Sequence, residues 1–149
     1  MKLNLNINEQ VRLRAALEGL DGFEQVVPGI KGDPKVVRVP YKLGAERRAV
    51  VKNINAINRA VGDFEQSRLA LVKEIWPDKP TEKSITREDD PDGFARFEPE
   101  MQKLISTKEE LSLERLSADV LYAAGDVPTD ILTVLEEFNL VAEAESGSA

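Results

Sequence analysis

Between Tyr41 and Trp76 the chain reads YKLGAERRAVVKNINAINRAVGDFEQSRLALVKEIW, and the spacing of its apolar residues decides the fold. Leu43, Val50, Ile54, Ile57, Val61, Phe64, Leu71 and Ile75, with Arg47 and Arg68 filling the two gaps, follow one another at alternating intervals of four and three residues. A repeat averaging ~3.5 residues keeps one stripe of a helix turned toward a partner helix. Val51, Leu69 and Val72 widen that stripe on its flanks. The segment therefore predicts one long amphipathic helix over about 41–76. Pro40 opens it and Trp76-Pro77 closes it, because proline cannot donate to the helical ladder and disfavours helix at the residue before it. About 35 residues at ~1.5 Å each make a rod of roughly 50 Å.

Toward the N-terminus, Leu3, Leu5 and Ile7 alternate with polar residues, the two-residue period of a strand with one buried face. Asn8 is the expected cap of a helix carrying Val11, Leu13, Ala16, Leu17 and Leu20, which Gly19 and Asp21-Gly22 end. From Phe23 to Pro40, two β-branched runs, Val26-Val27 and Val36 to Val39, are punctuated by Pro28-Gly29 and Gly32-Asp33-Pro34. Such punctuation predicts a hairpin or extended arm, and its apolar content exceeds what a plain loop needs. The arm is expected to pack on the core or to lie against a neighbouring chain.

Toward the C-terminus, Asp78 to Gly93 is a charged connector, followed by a helix from about Phe94 to Ser106 with Phe94, Phe97, Met101, Leu104 and Ile105 on one face. Its expected partner is the long helix, antiparallel. Leu111 and Leu113 suggest a short strand paired with residues 2–7; Ser117 and Asp119 cap a short helix stopped at Gly125. Pro128 begins a last helix with Ile131, Leu132, Leu135 and Phe138 as its buried face, and residues 142–149 read as a flexible tail. The fold class is then α+β and mostly helical: a long antiparallel, coiled-coil-like helical hairpin, a small two-stranded sheet and short C-terminal helices. All of it forms one domain over 1–141, with the extended arm around 23–40.

Composition narrows function. The 149 residues contain neither cysteine nor histidine, which removes disulfides, thiolate nucleophiles, zinc-type ligand sets and the side chain that titrates near neutrality. The opening residues alternate rather than forming an apolar block, and no stretch is apolar for the ~18 residues a membrane span needs, so neither a signal peptide nor a span is expected. Net charge is −7 and uneven: residues 1–40 carry +1 (six basic, five acidic), 41–77 carry +3 (seven and four) and 78–149 carry −11 (seven and eighteen). A strongly acidic half repels phosphates and anionic lipid, which disfavours nucleic-acid or membrane binding.

No motif supplies chemistry. Glu88, Asp90, Asp92 and Gly93 begin like a calcium loop, but the closing bidentate acid would fall on Pro99. Gly29 and Gly32 lack the Lys-Ser/Thr that a phosphate loop requires. No pair of carboxylates is placed to have its pKa values pushed apart, and a serine nucleophile without histidine would need a buried lysine that no pattern provides. Catalytic residues, cofactors, metals and small-molecule substrates are accordingly not expected. What remains is contact with protein, with Val36, Val37 and Val39 on the arm and Arg47, Val50, Ile54, Ile57, Val61, Phe64, Arg68, Leu71 and Trp76 on the long helix as interface candidates.

Four stretches carry a resemblance: Leu3-Asn4-Leu5, Val39-Pro40-Tyr41-Lys42-Leu43, Phe64-Glu65-Gln66-Ser67-Arg68-Leu69-Ala70-Leu71 and Glu110-Leu111-Ser112-Leu113. In their order, over most of residues 1–140, the chain resembles a family of small uncharacterised tailed-bacteriophage proteins. It departs from that pattern by its longer arm over 26–39. The resemblance implies a phage structural or assembly component in a virion or tail/connector complex, touching copies of itself or other virion proteins, located in the virion or in the host cytoplasm during assembly. The alternative is a small acidic phage regulator or inhibitor of a host protein.

Overall fold

A computed structural model describes residues 1–125 and 127–142, so the expected tail lies almost wholly outside the described residues. The protein is α+β and 57% helical, with small two-stranded sheets and one long helix. In chain order the elements are β1 (Lys2–Leu5), α1 (Ile7–Gly19), β2 (Phe23–Pro28), β3 (Pro34–Val39), α2 (Glu46–Ile75), α3 (Pro91–Ser106), β4 (Glu109–Ser112), β5 (Leu116–Ser117), α4 (Ala118–Ala123), α5 (Thr129–Glu137) and β6 (Val141–Ala142). Among the described residues three sheets pair β1 with β4, β2 with β3 and β5 with β6. The chain divides into two compact units whose boundaries fall after Met1 and inside α1, α2 and β4. One comprises Met1, Arg12–Ala56 and the chain from Ser112 onward; the other comprises Lys2–Val11 and Ile57–Leu111.

In the second of these units, β1 leads into α1 through a capping box. The Asn6 side chain accepts from Glu9 N–H at 2.9 Å and the Glu9 carboxylate accepts from Asn6 N–H at 3.1 Å. The cap is therefore Asn6, two residues before the expected Asn8, and it places Val11 on the exposed side. Gln10 is buried and donates to the Leu5 carbonyl at 3.0 Å. At the far end of α2, Val72, Trp76 and Phe97 form a buried cluster flanked by Leu71, Ile75, Ile85, Phe94 and Met101. The Trp76 ring lies 5.0 Å from Phe94 and 5.3 Å from Phe97, centroid to centroid. A coiled-coil hairpin along the whole of α2 is not established; what is seen is this cluster between its last turns and α3.

The first unit buries Leu13 and Leu17 of α1 and Leu20 just after it, Tyr41 and Leu43, Val50 of α2, and Leu113, Leu116, Leu121, Leu135 and Leu140 from the C-terminal part of the chain. Met1 and Leu113 exchange both backbone hydrogen bonds, at 2.8 and 3.0 Å, which is the antiparallel pattern. Ser117 caps α4 as expected, accepting from Val120 N–H, and Gly125 follows with φ 71°. β6, which no local pattern announces, pairs with β5 in parallel while Leu116 N–H donates to Leu140 O at 2.7 Å.

The long helix needs two corrections. Pro40 does not open it: Tyr41 to Leu43 lie outside any helix, Gly44 adopts φ 55°, and α2 begins at Glu46. The buried face is also rotated from the expected seam. Val50, Asn53, Ile57 and Ala60 are buried, whereas Ile54 and Val61 are only half-buried. Asn53 occupies a seam position because it makes two backbone-like bonds, donating to Glu114 O at 2.9 Å and accepting from Glu114 N–H at 2.8 Å.

Candidate functional site

The sequence between Phe23 and Val39 folds as an antiparallel hairpin of six register pairs, from Phe23 opposite Val39 to Pro28 opposite Pro34. Its turn is closed by Gly29 N–H donating to Asp33 O at 2.7 Å, with Lys31 and Gly32 at φ 65° and 81°. A Cβ at Gly29 would sit 2.1 Å from the Asp33 carbonyl oxygen, so only glycine permits that closure. Antiparallel ladders alternate bonded and non-bonded pairs. Counting from Gly29 and Asp33, the odd-numbered residues bond across the hairpin and the even-numbered ones turn their backbone groups outward. Pro28 and Pro34 thus fall where an N–H would find no ladder partner, the position an edge strand allows for proline.

The two faces of the hairpin differ. Val27, Val37 and Val39 are half-buried on one face, and Phe23 leans on Tyr41 with ring centroids 5.3 Å apart. On the other face, Val26 and Val36 oppose each other while 67% and 60% exposed, and Ile30 at the tip is 89% exposed. Glu24 and Arg38 are register partners beside them on that face. Arg38 Nε also donates to Asp21 Oδ2 at 3.1 Å at the base of the hairpin. Among the described residues neither strand has a second neighbour. The strand edges carry Lys35, Pro28 and Pro34, residues that disfavour edge-to-edge pairing, so the apolar exposure of the hairpin lies on its face, at Val26 and Val36, and at its Ile30 tip.

Most long-helix candidates do not share that exposure. Val50, Ile57 and Trp76 are buried within their own chain, and Ile54, Val61, Phe64 and Leu71 are half-buried. Arg47 donates to Tyr41 O at 2.9 Å. Arg68 is clasped between Glu65 and Glu82, with its Nη1 2.6 Å from Glu82 Oε2; the hydrogen bond that it donates to Glu65 leads the effects that raise its pKa above the ordinary arginine value. Trp76 Nε1 donates to Asp90 Oδ2 at 2.7 Å, and Asp90 caps α3 by accepting from Gly93 N–H at 3.0 Å. Those two bonds, the Trp76 bond first, hold the Asp90 carboxyl below its usual value.

Of the expected interface residues, then, Val36 alone is fully open, with Val37 and Val39 on the inner face of the same hairpin. Sequence reasoning missed Val26 and Ile30. The signal for Ile30 was an isoleucine standing between two turn glycines, where a polar residue is the norm. Elsewhere, a groove of about 440 Å³ beside α2 and α3 is lined by Leu71, Glu74, Ile75, Ala95, Arg96, Pro99 and Glu100. Its two acids are accompanied by one arginine and no convergent third group. Among the described residues no three acids gather as a metal site, and no helix is long and apolar enough to cross a membrane. No protein-family model matches the chain, and neither a curated protein nor a solved structure matches it.

Proposed function

We propose that this protein works through contact with other protein chains and that the β2–β3 hairpin is the element it offers. One observation carries this: the cross-strand pair Val26 and Val36 stands open to solvent on a ribbon capped by the bare Ile30 side chain. Two strands alone are marginal in water, and an arm with this much apolar surface gains stability when it is covered. The resemblance in residue pattern gives the narrower form, a non-enzymatic phage structural or assembly component in a virion or tail/connector complex.

The acidic-regulator alternative gains less support. Glu82, Glu110, Glu114 and Glu137 are each engaged by a basic side chain of their own chain, Arg68, Lys2, Lys52 and Arg12 respectively, and no single face gathers the acids that such a regulator would offer as a ligand mimic among these residues. Mass spectrometry of purified particles from the encoding phage separates the two. A structural component is expected at a fixed copy number per particle; its absence from particles, with the protein free in the lysate, would overturn the structural proposal.

A further inference from the structure

We infer that the open face of the β2–β3 hairpin is a self-complementary surface that pairs with the same face of a second copy across a two-fold axis running parallel to the strands. This deepens the contact function proposed above and rests on the hairpin being the contact element.

The geometry follows from register. Side chains of register partners in an antiparallel pair lie on the same face, so Glu24 with Arg38, and Val26 with Val36, form two rows across the ribbon. A two-fold axis between two such faces, parallel to the strands, lays β2 of one copy over β3 of the other without shifting either lengthwise. Each Glu24 then faces an Arg38, each Arg38 faces a Glu24, and each Val26 faces a Val36. Packed sheets lie ~10 Å apart, a gap that glutamate and arginine stems span while the valines fill the middle. An isologous interface requires a patch that matches itself, and this charge arrangement does so for one orientation of the axis. Arg38 keeps its terminal guanidinium nitrogens for the second copy while Nε holds Asp21.

The size of the patch sets the strength. A ribbon six residues long covers ~20 Å by ~10 Å, roughly 200 Å² per copy, about a quarter of the ~800 Å² per partner in a stable complex. Pairing through the arm alone is therefore weak and concentration-dependent, and it becomes strong only where many copies are held together.

Charge reversal tests this on the full chain, by sedimentation equilibrium over a concentration series at low ionic strength. Wild type is expected to show a reversible monomer–dimer equilibrium. Glu24→Arg places two arginines, and Arg38→Glu two glutamates, on the shared face, so each variant alone is expected to dimerise about tenfold more weakly. Mixed in equal amounts, the two variants restore every pair, and a heterodimer of wild-type affinity is expected. The chain carrying both substitutions is expected to homodimerise like wild type; the mixture, in which each hairpin still carries like charges across its own strands, separates lost pairing between copies from a damaged hairpin. A wild type monomeric at all concentrations, single variants as strong as wild type, or a mixture no better than its components would overturn the inference. Virion mass spectrometry could still support the contact function in that event, with the arm covered by a different protein.

Discussion

Asn53 fixes which face of α2 is buried. Its amide reproduces one rung of a strand ladder, donating to and accepting from the backbone of Glu114, and it is almost wholly inaccessible. Apolar periodicity could not reveal this, because the four-three template fits Val50, Ile57 and Phe64 equally well with Ile54 and Val61 or with Asn53 and Ala60 as intermediates. The larger apolar residues favour Ile54 and Val61, whereas the structure buries Asn53 and Ala60, one position earlier in each case. The two orientations make opposite predictions for Asn53→Leu. An apolar seam would accept leucine gladly; here the substitution leaves an N–H and a C=O of Glu114 unpaired, and a loss of about 2–3 kcal/mol in unfolding free energy is expected. Urea denaturation measures it, and a variant as stable as wild type would show the face to be wrongly assigned.

At the scale of elements, the sequence was most legible where a local signal exists and least where pairing is remote. The strand at Leu3 and Leu5, the hairpin punctuated by Pro28-Gly29 and Gly32-Asp33-Pro34, the body of α3 from Phe94 to Ser106 and the Ser117 cap are legible, whereas the start of α3, capped by Asp90 with Pro91 first, falls inside the expected connector. Asn6 with Glu9 three residues later was a capping-box signature that outranked Asn8. By contrast, β6 is two residues long and depends on a partner strand at Leu116–Ser117, so no local pattern could announce it. The join between α2 and α3 rests on Asp90, which accepts from Trp76 at the end of one helix and Gly93 at the start of the next. Its carboxyl is held below the ordinary value when folded. The unfolded chain lacks both bonds, so above the unfolded value, about pH 4, the stabilisation is fully present. As pH falls the unfolded state takes up its proton first, and the contribution is gone once pH has passed below the folded value. Asp90→Asn, which keeps the cap oxygen but not the charge, is expected to lower the urea midpoint at neutral pH and to flatten its fall on acidification. The fluorescence of Trp76, the sole tryptophan, reports both; parallel pH profiles for the two proteins would contradict this role.

For the whole molecule, the interface candidates divide by exposure rather than by hydrophobicity. Apolar pattern identified residues that are buried or half-buried on α2, since a stripe that seeks burial reads the same whether its own chain or another covers it. The open surface lies instead on the hairpin, whose alternation leaves Val26 and Val36 outward and Val27, Val37 and Val39 inward. The arm also carries two amines beside its turn, Lys31 and Lys35. Cross-linking mass spectrometry with an amine-reactive reagent, applied to the protein in its assembled state, therefore reports directly on whether this arm meets another chain. Links from Lys31 and Lys35 to residues of a neighbouring chain are the expected result. Intermolecular links confined to lysines elsewhere, with Lys31 and Lys35 joined only within their own chain or capped by reagent, would contradict the assignment of the hairpin as the contact element.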